Sequence, residues 1–201
     1  MQRHSGDSKK IMQSDSSTET RQWVIRAQEG DASAFERLVV TYQKRVYFSI
    51  YRIVGESHVA DDLTQEVFIK MHRSLTRLKE PDNFQGWLFR IAMNRAIDSK
   101  RRQKRTQERC FLLDDFQSIP GAESPESQGG SAHLGELQDA VNDAIAGLPP
   151  RQKQVLSLTM DENMSQEQIA EIMEVPVGTV KSRLHHARKA LKERLRKWIS
   201  A

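Results

Sequence analysis

The sequence predicts an all-α protein: two small helical domains joined by a flexible acidic linker, the second with a helix-turn-helix. Three observations predict it. Apolar residues recur at spacings of three and four, and no stretch alternates with period two for long. Gly and Pro fall between those periodic stretches. Charge comes in blocks. Residues 87–109 hold eight Lys or Arg against two acids, residues 110–146 hold seven acids and no Lys or Arg, and residues 178–198 hold eight Lys or Arg against one acid.

The elements follow in order. Residues 1–20, "MQRHSGDSKKIMQSDSSTET", are a polar tail of unassigned role. Residues 21–109 form the first domain. It opens with a short helix near Trp23, and then Asp31 can cap a helix whose stripe is Phe35, Leu38, Val39, Tyr42, Val46, Ile50 and Ile53. Gly55 ends that helix. The next carries Val59, Leu63, Val67, Met71, Leu75 and Leu78, until Pro81 and Asn83 break the pattern. A further helix starts near Phe84 with Trp87, Leu88, Ile91 and Ala92 on its apolar face, and its second half, "NRAIDSKRRQKR", is polar and basic. Residues 110–133 include "DDFQSIPGAESPESQGGSAH", too polar to offset the entropy of ordering, and read as the linker.

Residues 134–201 form the second domain. A helix up to Ala146 is followed by the turn Gly147-Leu148-Pro149-Pro150. Ser165 and Gln168 make a capping box for a short helix with Ile169, Ala170, Ile172 and Met173. "EVPVG" turns the chain, and Pro176 favours a new helix start. That helix, "VGTVKSRLHHARKAL", turns Val180 and Leu184 inward and leaves donors on its other faces. A short helix, a tight turn and a donor-rich helix make a helix-turn-helix over residues 166–185.

Composition narrows the function. The chain has 201 residues, a net charge of +4 and 29% charged residues. Its single cysteine, Cys110, cannot form a disulfide within the chain. No Cys/His cluster has zinc spacing, so no metal and no cofactor are expected. The tail lacks the apolar segment of a signal peptide, and no apolar run suits a membrane span, which predicts a cytoplasmic protein without membrane insertion. Two basic clusters at the ends of amphipathic helices point to nucleic acid; the alternative for each is a solvated helix face.

Two stretches, "DDLTQEVFIKMHRSL" and "FQGWLFRIAMNRAIDSKRR", resemble the second domain of bacterial sigma factors. "GLPPRQKQVLSLTMDENMSQEQIAEIMEVPVGTVKSRLHHARKALKERL" is similar to their fourth. With a short linker and no room for a third domain, the chain resembles the extracytoplasmic-function (ECF, group IV) sigma factors of the sigma-70 family. The resemblance implies a non-enzymatic factor that directs core polymerase to promoters and assists melting, in a stress or envelope response. Its implied partners are core RNA polymerase, promoter DNA and an anti-sigma factor.

The resemblance also gives residues their roles. Asp61, Asp62, Gln65 and Glu66 would dock on the clamp helices of core polymerase. Asn94 would take an unpaired base of the −10 element, with Trp87, Arg95, Asp98, Arg101 and Arg102 around it. Phe84 and Trp87 are candidates for base stacking, and Trp87 is equally a core residue by its spacing. Thr179, Lys181, Ser182, Arg183, His185, His186 and Arg188 would face the −35 element. Many relatives carry a bulky apolar residue and then Arg where His185 and His186 stand, so this −35 readout departs from the common pattern. The acidic linker is read either as a tether or as a mimic of nucleic acid in a basic channel.

Two rival classes remain at this point. A dimeric regulator with a helix-turn-helix needs a ligand pocket or phosphoacceptor domain, and residues 21–109 carry no such pattern. An enzyme acting on nucleic acid needs a nucleophile elbow, a P-loop or convergent carboxylates, and none is evident. Copurification with core polymerase separates the first reading from both.

Overall fold

A computed structural model describes residues 18–113, 132–161 and 164–199. Helix α1 covers residues 18–28 and leads through a turn to Asp31. The Asp31 carboxylate accepts from the backbone N–H groups of Ser33 and Ala34, and so starts α2 (Ala32–Val54). Gly55 stops α2 with φ 79°, a left-handed conformation that suits glycine. Helix α3 (Ser57–Ser74) follows and ends in a 3₁₀ turn at Leu75–Arg77. The Gln28 amide of α1 donates to the carbonyls of Leu75 and Leu78, satisfying backbone groups that α3 leaves open. A second 3₁₀ turn, Pro81–Asn83, introduces the long α4 (Phe84–Leu113).

The apolar stripes meet as their spacing predicts. Leu38, Val46 and Ile50 of α2, Val67 and Met71 of α3, and Leu88, Phe89, Ala92 and Met93 of α4 are all fully buried. Each large side chain among them contributes about 1.5–3 kcal/mol on burial. Phe84 is 1% exposed and sits edge-on against Tyr42, 5.3 Å between ring centres. This corrects the expectation that Phe84 stacks on bases: it lies one turn before Leu88 on the core side. Trp87 is half-buried and tilted against Phe84.

Among the described residues the second half has α5 (Ala132–Ala146), α6 (Pro150–Thr159), α7 (Gln166–Met173), α8 (Val177–Arg194) and α9 (Arg196–Ile199). The Ser165–Gln168 capping box forms in both directions. Helix α7 ends at Glu174 with φ 53°, and Val177 begins α8 three residues on. The Arg194 guanidinium lies over Gly147 and donates to the carbonyls of Ala144 and Gly147, so a side chain at 147 would displace it. Helix α4 continues through Leu113 and α5 begins at Ala132, so both ends of the stretch read as linker are helical. Its residues 114–131, like the tail up to residue 17, lie outside the described residues.

The sequence reading leaves the two halves free of each other. The structure packs them together. Helix α6 lies on α2 and α7 on α4, and one apolar cluster runs from Val24 through Leu88 to Val155, Leu158 and Ile169. Polar contacts pin the seam. The buried Ser157 hydroxyl donates to the Ser49 carbonyl at 2.8 Å. Arg45 and Asp161 form a two-point ion pair. Arg90 of α4 donates to the Glu171 carbonyl at 3.0 Å and reaches the Glu174 carboxylate at 3.1 Å, so it caps the negative C-terminal end of α7.

Candidate nucleic-acid interface

Three surfaces carry the expected residues. The first is on α3. Asp61, Asp62, Gln65 and Glu66 are all exposed, on the side away from the buried Leu63, Val67 and Met71. The face is not purely polar. Ile69, 51% exposed, follows Glu66 by three residues. Phe48 of α2, 49% exposed, packs edge-on against Tyr47, which stacks on Tyr51. Burial and the Asp61 carboxylate both push the Tyr47 hydroxyl above its ordinary value. The sequence reading missed Phe48 and Ile69. Their signal was available: both are large apolar residues off the core stripe of their helix.

The second surface is on α4. Asn94, Asp98 and Arg101, at i, i+4 and i+7, are exposed on one face, with Arg102 exposed beside them. Arg95 is half-buried and its Nη1 lies 3.6 Å from the Glu66 carboxylate. A groove of about 210 Å³ runs between the helices, with Asp62 and Glu66 on one wall and Arg95, Asp98 and Arg102 on the other. Asp62 and Glu66, expected to bind protein, therefore share one groove with Arg95, Asp98 and Arg102, expected to bind DNA. Trp87 keeps partial exposure while it packs on the core, so both of its readings stay physically open.

The third surface is on α8. Val180, Leu184 and Ala187 are buried, which turns Lys181, Ser182, His185, His186 and Arg188 to solvent and leaves Thr179 half-exposed. No side chain caps α8, and its start is open to an anionic group. The rings of His185 and His186 meet edge to face, 5.7 Å between centres. Lys181 lies close enough to Glu167 of α7 to help hold that carboxyl below its ordinary value; hydrogen bonds from the Glu167 N–H and Ser165 contribute more. Arg183 differs from its neighbours. It is half-buried, and its Nη1 is buried with no hydrogen-bond partner among the described residues.

Among the described residues no group of three His, Cys, Asp or Glu gathers as a metal site, and no helix is long and apolar enough to cross a membrane.

Comparison with known proteins matches two stretches of the chain to family models. Residues 38–106 match the model of sigma-70 region 2, and residues 138–191 that of sigma-70 region 4. The ECF RNA polymerase sigma-E factor of Escherichia coli is 35% identical over 180 residues, covering 88% of this chain and 94% of that protein. The ECF RNA polymerase sigma factor SigW of Bacillus subtilis is 32% identical over 186 residues, covering 86% and 95%. Among solved structures, CnrH in complex with the cytosolic domain of CnrY is similar in fold, with a TM-score of 0.67 at 23% identity over 89% of this chain and 98% of that one. The sigma factor RpoE of Bartonella quintana, in complex with the anti-sigma factor NepR, matches with a TM-score of 0.60 at 25% identity, covering 81% and 96%.

Proposed function

Because the chain belongs to the ECF sigma factors of the sigma-70 family, we propose that it recruits core RNA polymerase to promoters through three surfaces, two of which meet at one groove. The acidic face of α3 docks on a basic, polar helical element of core polymerase. Phe48 and Ile69 add apolar contact there. Charge steers the encounter and fixes its orientation, while apolar burial holds it.

The α4 face then works on the −10 element. Capturing a base after it leaves the stack needs groups that recognise an unpaired edge. The Asn94 amide offers a donor and an acceptor, and Arg101 and Arg102 hold strand phosphates. Arg95 is paired with Glu66 until core polymerase engages Glu66, so docking frees a cation for DNA. The start of α8 enters the major groove of the −35 element with Lys181, Ser182, His185 and His186. The chain supplies no chemistry of its own; polymerase does. It works in the cytoplasm, with an anti-sigma factor as a further partner.

The observation that carries this reading is the α4 face, where Asn94, Asp98, Arg101 and Arg102 are exposed together on a helix anchored by the fully buried Leu88, Phe89, Ala92, Met93 and Ala96. One step follows from the seam. Arg90 and Glu174 touch, so α4 and the helix-turn-helix are neighbours. Two promoter elements about two helical turns apart lie on the order of 70 Å from each other. The halves therefore separate when polymerase and promoter are bound. Gel filtration of the purified chain with core polymerase tests the docking step. Co-elution is expected, and its loss is expected for Glu66→Lys with unchanged helicity. A chain that never co-elutes with core polymerase overturns the reading.

A further inference from the structure

The same seam encloses a cleft of about 320 Å³ lined by Lys100, Gln103 and Lys104 of α4, Pro150 and Lys153 of α6, and closed by Ile53 and Ala146. Three lysines from two domains converge on it. Glu56 answers Lys100: it lies 3.6 Å from the Lys100 ammonium and accepts from the Gln103 amide at 2.9 Å. Gln103 in turn accepts from Lys100 at 2.7 Å. Nothing comparable answers Lys153. It is half-buried and forms no ion pair among the described residues. Burial lowers the pKa of its ammonium, and the cations of Lys100 and Arg194 lower it further. A desolvated cation facing like charges is unfavourable unless an anion joins it.

We propose that this cleft binds a small, multiply charged phosphate of the pyrophosphate class, and that the bound anion holds the two halves of the sigma factor together. The volume corresponds to about ten waters at roughly 30 Å³ each, which accommodates a di- or triphosphate group. Oxygens of such a group can accept from Lys153 on one side and from Lys104 on the other, bridging α6 to α4. Lys100 and Lys104 flank Arg101 and Arg102, so the occupied cleft also keeps the −10 helix tied to the second domain. The anion thus opposes the separation that promoter binding requires. Inorganic pyrophosphate and the phosphate tail of a nucleotide offer the same chemistry.

Titration calorimetry on the full chain tests this, with sodium pyrophosphate as the probe at constant ionic strength and ATP and inorganic phosphate as parallel arms. Saturable one-site binding of pyrophosphate is expected, weaker by about ten- to hundredfold in Lys153→Gln and in Lys104→Gln. Tighter binding of ATP than of pyrophosphate identifies a nucleotide as the ligand, and equal binding identifies the phosphate group alone. Without ligand, Lys153→Gln is expected to melt no lower than the natural chain, since it removes an unanswered cation. With pyrophosphate, only the natural chain gains melting temperature. Absence of saturable binding at fixed ionic strength, equal binding by Lys153→Gln, or a marked loss of stability in Lys153→Gln without ligand overturns the proposal.

Discussion

Arg45 holds Asp161 by two parallel hydrogen bonds, Nε to Oδ2 and Nη2 to Oδ1, both 3.0 Å, across the seam between α2 and the end of α6. The pair is sheltered: the Arg45 side chain is 23% exposed and that of Asp161 7%. Arg45 also lies against the rings of Tyr42 and Phe89, at 5.1 and 5.4 Å from their centres. Removing one partner of such a pair costs about 3–5 kcal/mol while the other charge stays buried. Here the remaining charge can reach water by opening the seam. Asp161→Ala is therefore expected to raise the radius of gyration in small-angle scattering while leaving helicity unchanged. An unchanged radius would show that the pair does not hold the halves together.

Asn94→Ala is expected to slow open-complex formation by about tenfold or more, since a base-edge contact is worth about 1–3 kcal/mol, and to leave closed-complex binding nearly unchanged. Permanganate reactivity of the −10 region reports the melted strand. Normal melting together with a lower thermal midpoint would make Asn94 a structural residue.

Lys181 and Arg183 separate two modes of reading. The exposed Lys181 suits a phosphate, so Lys181→Ala should weaken holoenzyme binding to all −35 sequences alike and reduce the salt slope by about one. Arg183 has a guanidinium nitrogen that lacks a partner among the described residues, and a base acceptor would supply one. Arg183→Ala should cost about 1–3 kcal/mol on the preferred −35 element and much less on mutated ones. Equal losses on every sequence would assign Arg183 to phosphate.

Asp31 sets an acid limit on the first domain. Hydrogen bonds from Ser33 and Ala34, with Arg26 beside them, lower its pKa from 3.8 to about 2. The folded value lies below the unfolded one, so its stabilisation is fully present above the unfolded value and is lost as pH falls through about 2. The stability gap between the natural chain and Asp31→Asn, measured by urea unfolding, should be constant above about pH 5 and shrink between roughly pH 4 and 2. A gap that grows on acidification would contradict the cap.

Local chemistry was legible in the sequence because it acts over a few residues. The Asp31 cap, the Gly55 stop, the Ser165–Gln168 box and the inward Val180 and Leu184 all stand where spacing put them. Contacts across the chain were not legible. Arg45 lies off the α2 stripe and reads as a solvated charge, yet its partner is 116 residues away. Arg90 reads as part of a basic DNA-facing run, yet it caps α7. Phe84 and Trp87 are both aromatics at a helix start, and only the partner helix decides that Phe84 is sealed under Tyr42 while Trp87 keeps an open edge. Periodicity puts Arg183 among the groove candidates but does not reveal how a long side chain folds back, and in the structure Arg183 is half-buried.

The central claim is that this sigma factor acts at a promoter only in partnership with core polymerase. Footprinting of promoter DNA with the chain alone, core polymerase alone and the two together tests it most directly. The chain alone should give weak, salt-sensitive protection, because a single recognition helix supports little specific affinity and α4 is held against the helix-turn-helix. The two together should protect two elements about two helical turns apart, with melting at the downstream one. A tight, symmetric footprint over a palindrome, formed without core polymerase, would contradict the account and describe a dimeric regulator instead.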